Sequence, residues 1–168
     1  MVPSSSRIGF TSFLQYSPHG EQPTSRSSKD LIRAIKNDHP YGDKPAIPYS
    51  VKRLAEELVK YPVLQECFAV TKSATAAPGQ RPSPDEHYDS LAVMPKLLPS
   101  GAKIVIVDDV VTRGATFLAC YFRLKQAHPD IQVVCFALVR TMRQEIDSML
   151  APIAGEITCL HGYPNRTP

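Results

Sequence analysis

IVIVDDVVTRGAT, residues 104–116, decides how this chain is read. Ile104, Val105, Ile106 and Val107 are all β-branched and too few for a buried helix, so they predict a central strand of a parallel sheet. Asp108 and Asp109 follow at the end of that strand, then a polar turn with Gly114. From about Ala115 the pattern turns helical. Phe117, Cys120, Tyr121, Leu124 and Ala127 share one side, and the helix is expected to end near His128, Pro129 and Asp130. Capping is the plain explanation for acids before a helix. These two stand several residues ahead of it, and Thr112 or Arg113 is nearer the cap. Open parallel sheets bind ligands beyond the carboxyl ends of their strands. Neighbouring strand residues point to opposite faces, so one carboxylate can meet a ligand while the other orients the loop or a second hydroxyl. Carboxylates in that place suit the vicinal hydroxyls of a ribose, or a hydrated Mg²⁺. Thr112, Arg113, Gly114, Ala115 and Thr116 then offer what an anion needs: N–H groups at a helix start, a glycine for close approach, two hydroxyls and a cation. Acid pair first and phosphate cradle next is the layout of a sugar-phosphate site.

The regions around this core read as alternating elements. Residues 7–16 are aromatic-rich and predict a strand. Residues 17–28 hold Pro, Gly and Ser and predict a loop, after which a short helix starts at Ser28, Lys29 and Asp30 with Leu31, Ile32 and Ile35 on its apolar side. Four prolines or glycines make residues 37–48 a connector. Ser50 is a good N-cap for a helix running to about Lys60, and residues 63–70 hold room for a strand. Residues 71–90 carry three prolines and a glycine and read as one flexible loop, whose Lys72, Arg81 and His87 either meet a ligand or are solvated. Residues 132–139 predict a buried strand. Residues 141–150 fit a helix with Met142, Ile146 and Met149 inward. Gly155 is expected to break the chain before a last strand at 157–160. Strand, helix, strand, helix, strand is the pattern of an α/β layer fold.

Composition narrows the function classes. A chain of 168 residues suits one domain with a sizeable core. No apolar run approaches the roughly 20 residues that cross a bilayer. A net charge of +3 without dense Lys/Arg clustering gives no direct nucleic-acid signal. Cys67, Cys120, Cys135 and Cys159 form no CxxC pair and read as reduced core thiols, which places the protein in the cytoplasm. The scattered histidines argue against a metal cluster. The segment before Lys29 is Ser-rich and acid-poor, as organelle transit peptides are, but a loose polar tail ahead of the fold is the better reading.

Residues 105–116, VIVDDVVTRGAT, resemble without interruption the phosphoribosyl-pyrophosphate (PRPP) signature of type I phosphoribosyltransferases: hydrophobic strand, two acids, two hydrophobics, then a Thr/Gly-rich loop closing on Thr or Ser. FTSFLQYSP near the start, KSATAAPGQRPSPDEHYDSL before the motif and FALVRTM after it resemble, more loosely, the ComF-like branch of that family. The resemblance implies an α/β fold of three layers, Rossmann-like, with a central, mainly parallel sheet and a shortened early region. Residues 1–28 would form an N-terminal strand and a loose polar segment, and residues 29–168 the transferase-like domain. It implies that Asp108 and Asp109 bind the ribose hydroxyls and that Thr112, Arg113, Gly114, Ala115 and Thr116 hold the 5′-phosphate. The loop at 71–90, with Lys72 and Arg81, would cover the reacting centre. The family reaction transfers the phosphoribosyl group to a nitrogen acceptor and releases pyrophosphate, with Mg²⁺ carried by PRPP rather than held by the protein. The implied partner is PRPP or a nucleotide, with a homodimer as a further option.

Two departures temper the implied activity. Purine-salvage members commonly carry Asp where this chain has Thr112, which speaks against a simple hypoxanthine or guanine enzyme. The pyrophosphate-binding loop has only shortened counterparts, either residues 46–50 or residues 68–73 with Lys72. Ribose and 5′-phosphate binding is therefore expected to persist, with pyrophosphate binding weakened or rebuilt. The rival reading is a catalytically weak or inactive PRPP or nucleotide sensor, or a competence-type accessory protein. A response-regulator receiver domain also pairs acids after a strand. It requires a phosphoacceptor Asp on a later strand, where this chain has Ala151, Pro152, Ile153 and Ala154. Tyr163, in the tail HGYPNRTP, can stack on a base or sit on the surface.

Overall fold

Residues 135–140 are buried one after another, which requires a strand covered on both faces. They belong to β7 (Gln132–Thr141), next to the middle of the sheet. The computed structural model describes residues 1–3, 5–37, 40–41, 44–45, 68–70, 83–93 and 98–167. The other elements are β1 (Ser5–Tyr16), α1 (Pro23–Asn37), β2 (Pro40–Tyr41), β3 (Lys44–Pro45), β4 (Phe68–Val70), α2 (Pro84–Ser90), β5 (Leu91–Val93), β6 (Lys103–Val111), α3 (Ala115–Ala127), β8 (Leu150–Leu160) and β9 (Tyr163–Thr167). The main sheet has five strands in the order β6-β7-β1-β8-β9. β6, β7 and β1 pair in parallel, whereas β8 runs antiparallel to both β1 and β9. The architecture is thus α/β with an open, mixed and mostly parallel sheet, compatible with a Rossmann-like fold. β2–β3 and β4–β5 form two small antiparallel pairs.

One core lies between α3 and the sheet. Phe117, Leu118 and Leu124 of α3 pack with Ile8 and Phe10 of β1, Ile104 and Ile106 of β6, Cys135 and Ala137 of β7, and Ile157 and Cys159 of β8. A smaller cluster joins Ile32 of α1 to Leu138 and Val139 of β7. β7 thus contributes to both clusters, which is why its sequence shows no polar alternation.

Several elements differ from the sequence reading. The strand of residues 104–107 runs longer, to Val111, and lies at an edge of the main sheet among the described strands, not at its centre. The middle strand is β1. α1 starts at Pro23, not Ser28, because Pro suits a first helical turn and the following serines find partners: Ser25 and Ser28 are buried and hydrogen-bonded. Within the expected loop at 71–90, Pro84–Ser90 is a helix. Ser83 Oγ accepts from Glu86 N, and the Glu86 carboxylate accepts from Ser83 N, a capping box. The rest of that loop, and the helix expected at 50–60, lie outside the described residues.

The expected helix at 141–150 is not formed. Its backbone is engaged elsewhere: Met142 N donates to Tyr16 O, Gln15 N to Met149 O, and Ser17 Oγ to Gln144 O. Ile146 is nonetheless buried. Gly155 does not interrupt β8. It stands opposite Phe10 in register, and a Cβ there would come within 2.7 Å of the Phe10 ring. The residue is small to admit an aromatic ring, not to end a strand. The tail after Leu160 turns back as β9 through His161 (φ 51) and Gly162 (φ 80). Two consecutive left-handed residues make the tight hairpin turn that suits sheet twist.

Candidate functional site

Alternation along β6 places its acids. Ile104 and Ile106 are 2% and 6% exposed, whereas Val107 is 43% exposed. Asp108 continues the inner row and is half-buried; Asp109 continues the outer row and is exposed. The two carboxylates therefore diverge, as strand geometry requires. Asp108 lies close enough to α3 and β7 that its charge, added to burial, pushes the Cys120 thiol up to about 12 and also raises Cys135. Each acid also bonds the next backbone amide. Asp108 Oδ1 accepts from Asp109 N at 2.9 Å, and Asp109 Oδ1 accepts from Val110 N at 2.7 Å. The pair sits within the last part of β6 rather than beyond it.

After Val111 the chain turns through Thr112 (half-buried) and Arg113 (exposed) to buried Gly114, the N-cap of α3. The cap is neither Thr112 nor Arg113. Gly114 has φ 89 and ψ 17, a left-handed conformation that disfavours any side chain. A Cβ there would also meet Ile157 of β8 at 2.5 Å. The glycine thus serves the fold by letting α3 start close against β8. No side chain caps α3. The first-turn N–H groups of Ala115, Thr116 and Phe117 lack intrahelical acceptors, and the positive end of the helix dipole lies there. The structure brings Thr112, Gly114, Ala115 and Thr116 together around this helix start, with Asp109 on the strand leading into it. Lys72 and Arg81 lie outside the described residues. Tyr163 is on β9, 76% exposed.

Three arginines that sequence reasoning did not single out act on one another through their charge, and one of them, Arg166, touches the loop. Arg166, from β9, donates through Nε to Thr112 O at 2.9 Å and through Nη2 to Thr141 O. Thr141 Oγ1 donates to Val111 O at 3.4 Å, tying the end of β7 to the end of β6. Arg140, the residue before Thr141, is only 3% exposed. Its Nη1 donates to Ser12 Oγ at 3.1 Å and to Ala151 O at 2.8 Å, while its Nε is buried without a partner. Arg143 follows two residues after Thr141 and is exposed. Burial lowers the proton affinity of Arg140 and, first among causes, of Arg166; the charges of Arg140 and Arg143 lower Arg166 further. Among the described residues, none of the three has a carboxylate within 4 Å. One signal was present in the sequence: a lone arginine at the end of the apolar run QVVCFALVR. Arg166 carried no such signal, because it lies in what reads as a tail.

Among the described residues no group of three or more His, Cys, Asp or Glu side chains is placed to hold a metal ion, and no helix is long and apolar enough to cross a membrane. No family model matches the chain, and no curated protein and no solved structure matches it either.

Proposed function

We propose that the chain is a PRPP-binding protein of the phosphoribosyltransferase type, related to the ComF-like branch, which binds a ribose 5-phosphate group at the end of β6 and the start of α3. One observation carries this reading. Of the three described helices, α1 receives the Glu145 carboxylate at its N-terminus and α2 has a capping box, whereas α3 has no side-chain cap. That uncapped start follows an acid pair and is flanked by Thr112 and Thr116. A terminal phosphate suits its amides and dipole, and ribose hydroxyls suit an adjacent carboxylate.

The residues divide the work. Asp109, exposed, accepts hydrogen bonds from the sugar. Asp108, half-buried, orients the strand end and reaches the ligand only from the inner side. Thr112, Gly114, Ala115 and Thr116 hold the phosphate, and Arg113 adds charge from the rim. Because the carboxylates diverge, they do not form a chelating pair. Mg²⁺ fits here as an ion that arrives on the diphosphate, with Asp109 as an outer partner through water. In the transfer to a nitrogen acceptor, Mg²⁺ would neutralise the leaving pyrophosphate. The protein's part is to fix the sugar and stabilise charge as the C1 bond loosens.

Isothermal titration with ribose 5-phosphate and PRPP, beside pyrophosphate release from PRPP with a panel of nitrogen bases, tests the reading. Saturable binding is expected, weakened about tenfold in Asp109→Asn by the loss of a charged acceptor. Absence of binding to both ligands would overturn it. A sensor without turnover is the second reading, favoured by the inward position of Asp108, which leaves one carboxylate on the outer side. Binding without pyrophosphate release in any mixture would select the sensor.

A further inference from the structure

We infer that Arg140, Arg143 and Arg166 form a second oxyanion site beside the Thr112 loop, and that it takes a carboxylate or phosphate group of the acceptor rather than of the sugar phosphate. The assignment to an acceptor rests on the sugar-phosphate reading above; the anion site itself does not.

Placement carries the argument. The Arg166 guanidinium sits on the carbonyl of Thr141, between Arg140 and Arg143 in the chain, and on the carbonyl of Thr112, the first residue of the proposed phosphate loop. Arg166 thus lies on the loop itself, and the charges of Arg140 and Arg143 both act on it. Like charges in a partly buried place repel, and desolvation adds to the cost. Proteins ordinarily offset such a charge with an acid, yet no carboxylate lies within 4 Å of any of the three among the described residues. Backbone carbonyls and the Ser12 hydroxyl neutralise none of the charge. Arg140 is the clearest case: it is almost fully buried, and its Nε has no acceptor.

A purely structural role accounts for the carbonyl contacts but not for three charges. Stapling β9 to the loop takes one guanidinium, and Arg143 makes no hydrogen bond among the described residues. The forked donors of arginine match carboxylate and phosphate oxygens, so an oxyanion is the chemistry that completes the cluster. The amides at the start of α3 already serve one phosphate. Arg166 reaches the loop from β9, whereas Asp109 leads into it from β6, which suits a group on the second ligand.

The test uses the full chain saturated with ribose 5-phosphate, titrated separately with benzoate and with inorganic phosphate by calorimetry. One of the two is expected to bind saturably: benzoate marks a carboxylate acceptor, inorganic phosphate a phosphorylated one. Arg143→Glu, at an exposed residue without structural bonds, is expected to weaken that binding by about tenfold or more while leaving ribose 5-phosphate binding and the melting temperature unchanged. Arg166→Lys, which keeps the charge and loses the fork, is expected to fall between. If ribose 5-phosphate itself does not bind, the sugar-phosphate reading falls. The same anions titrated into the free protein then judge the arginine site alone. The inference is overturned if neither anion binds the wild type, or if Arg143→Glu binds as the wild type does.

Discussion

The N-termini of α1 and α3 face the same physical problem and meet it differently. Both expose amide N–H groups at the positive end of a helix dipole. At α1 the Glu145 carboxylate, from the loop between β7 and β8, accepts from Glu21 N at 2.6 Å, Gln22 N at 3.3 Å and Ser25 Oγ at 2.6 Å. Those bonds, Ser25 first, hold its carboxyl below the usual carboxylate range. At α3 a glycine replaces the cap and the two threonines bring hydroxyls without charge. One helix start is closed by an anion of the chain itself, and the other has no side-chain cap and is where the proposed phosphate would sit. A helix terminus is thus read by what its neighbours do with it.

The comparison breaks most severely at Gly114. Gly114→Val forces a left-handed backbone on a branched residue and drives its Cβ into Ile157, so about 2–4 kcal/mol of stability should be lost in denaturant unfolding, and ribose 5-phosphate binding with it. Ser25→Ala should cost about 1–2 kcal/mol by removing a buried hydroxyl that donates to Glu145, while ribose 5-phosphate affinity stays at the wild-type value. A loss of affinity in that variant would mean that the two helix starts are not independent.

Acid sharpens the contrast. The Glu145 carboxyl has a folded-state value below its unfolded one. Its contribution is therefore complete above the ordinary carboxylate range, at about pH 4.3, and is lost as pH falls through the lower folded value. Hydrogen exchange at the Glu21 and Gln22 amides should rise, relative to the intrinsic rate, over that window, with the amides at the start of α3 showing no matching step. The smallest expected effect is at the core beneath α3. Cys120, raised to about 12 by burial and by Asp108, should resist alkylation at pH 8 until the protein unfolds. Fast labelling of the native protein would mean that α3 opens away from β6.

Much of the central pattern was legible because it rests on local periodicity. The strand through residues 104–107, the helix from Ala115 to Ala127 and the strand from Gln132 onward all declare themselves by spacing, and each is present. What failed depended on partners distant in sequence. Met142, Ile146 and Met149 recur at helical spacing, but the segment's backbone bonds to β1 and Ser17, and its glutamate caps α1. Gly155 carries the sign of a break and instead makes room for Phe10. Asp108, Asp109 and the Thr112–Thr116 loop were readable from order along the chain. Arg166 was not, because its neighbour Thr112 is more than fifty residues away and only the β9 hairpin brings the two together.

The amino-acid sequence alone determined the α/β alternation, the acid pair before a glycine turn, and the burial of Cys120, Cys135 and Cys159 in the core, because side-chain period and turn chemistry act over a few residues. Tertiary structure alone decided that β1 is the middle strand, that Asp108 and not Asp109 lies beneath α3, and that Arg166 of β9 sits on the Thr112 loop. Those outcomes are set by strand order and packing between distant segments, for which no local pattern in the chain carries the information.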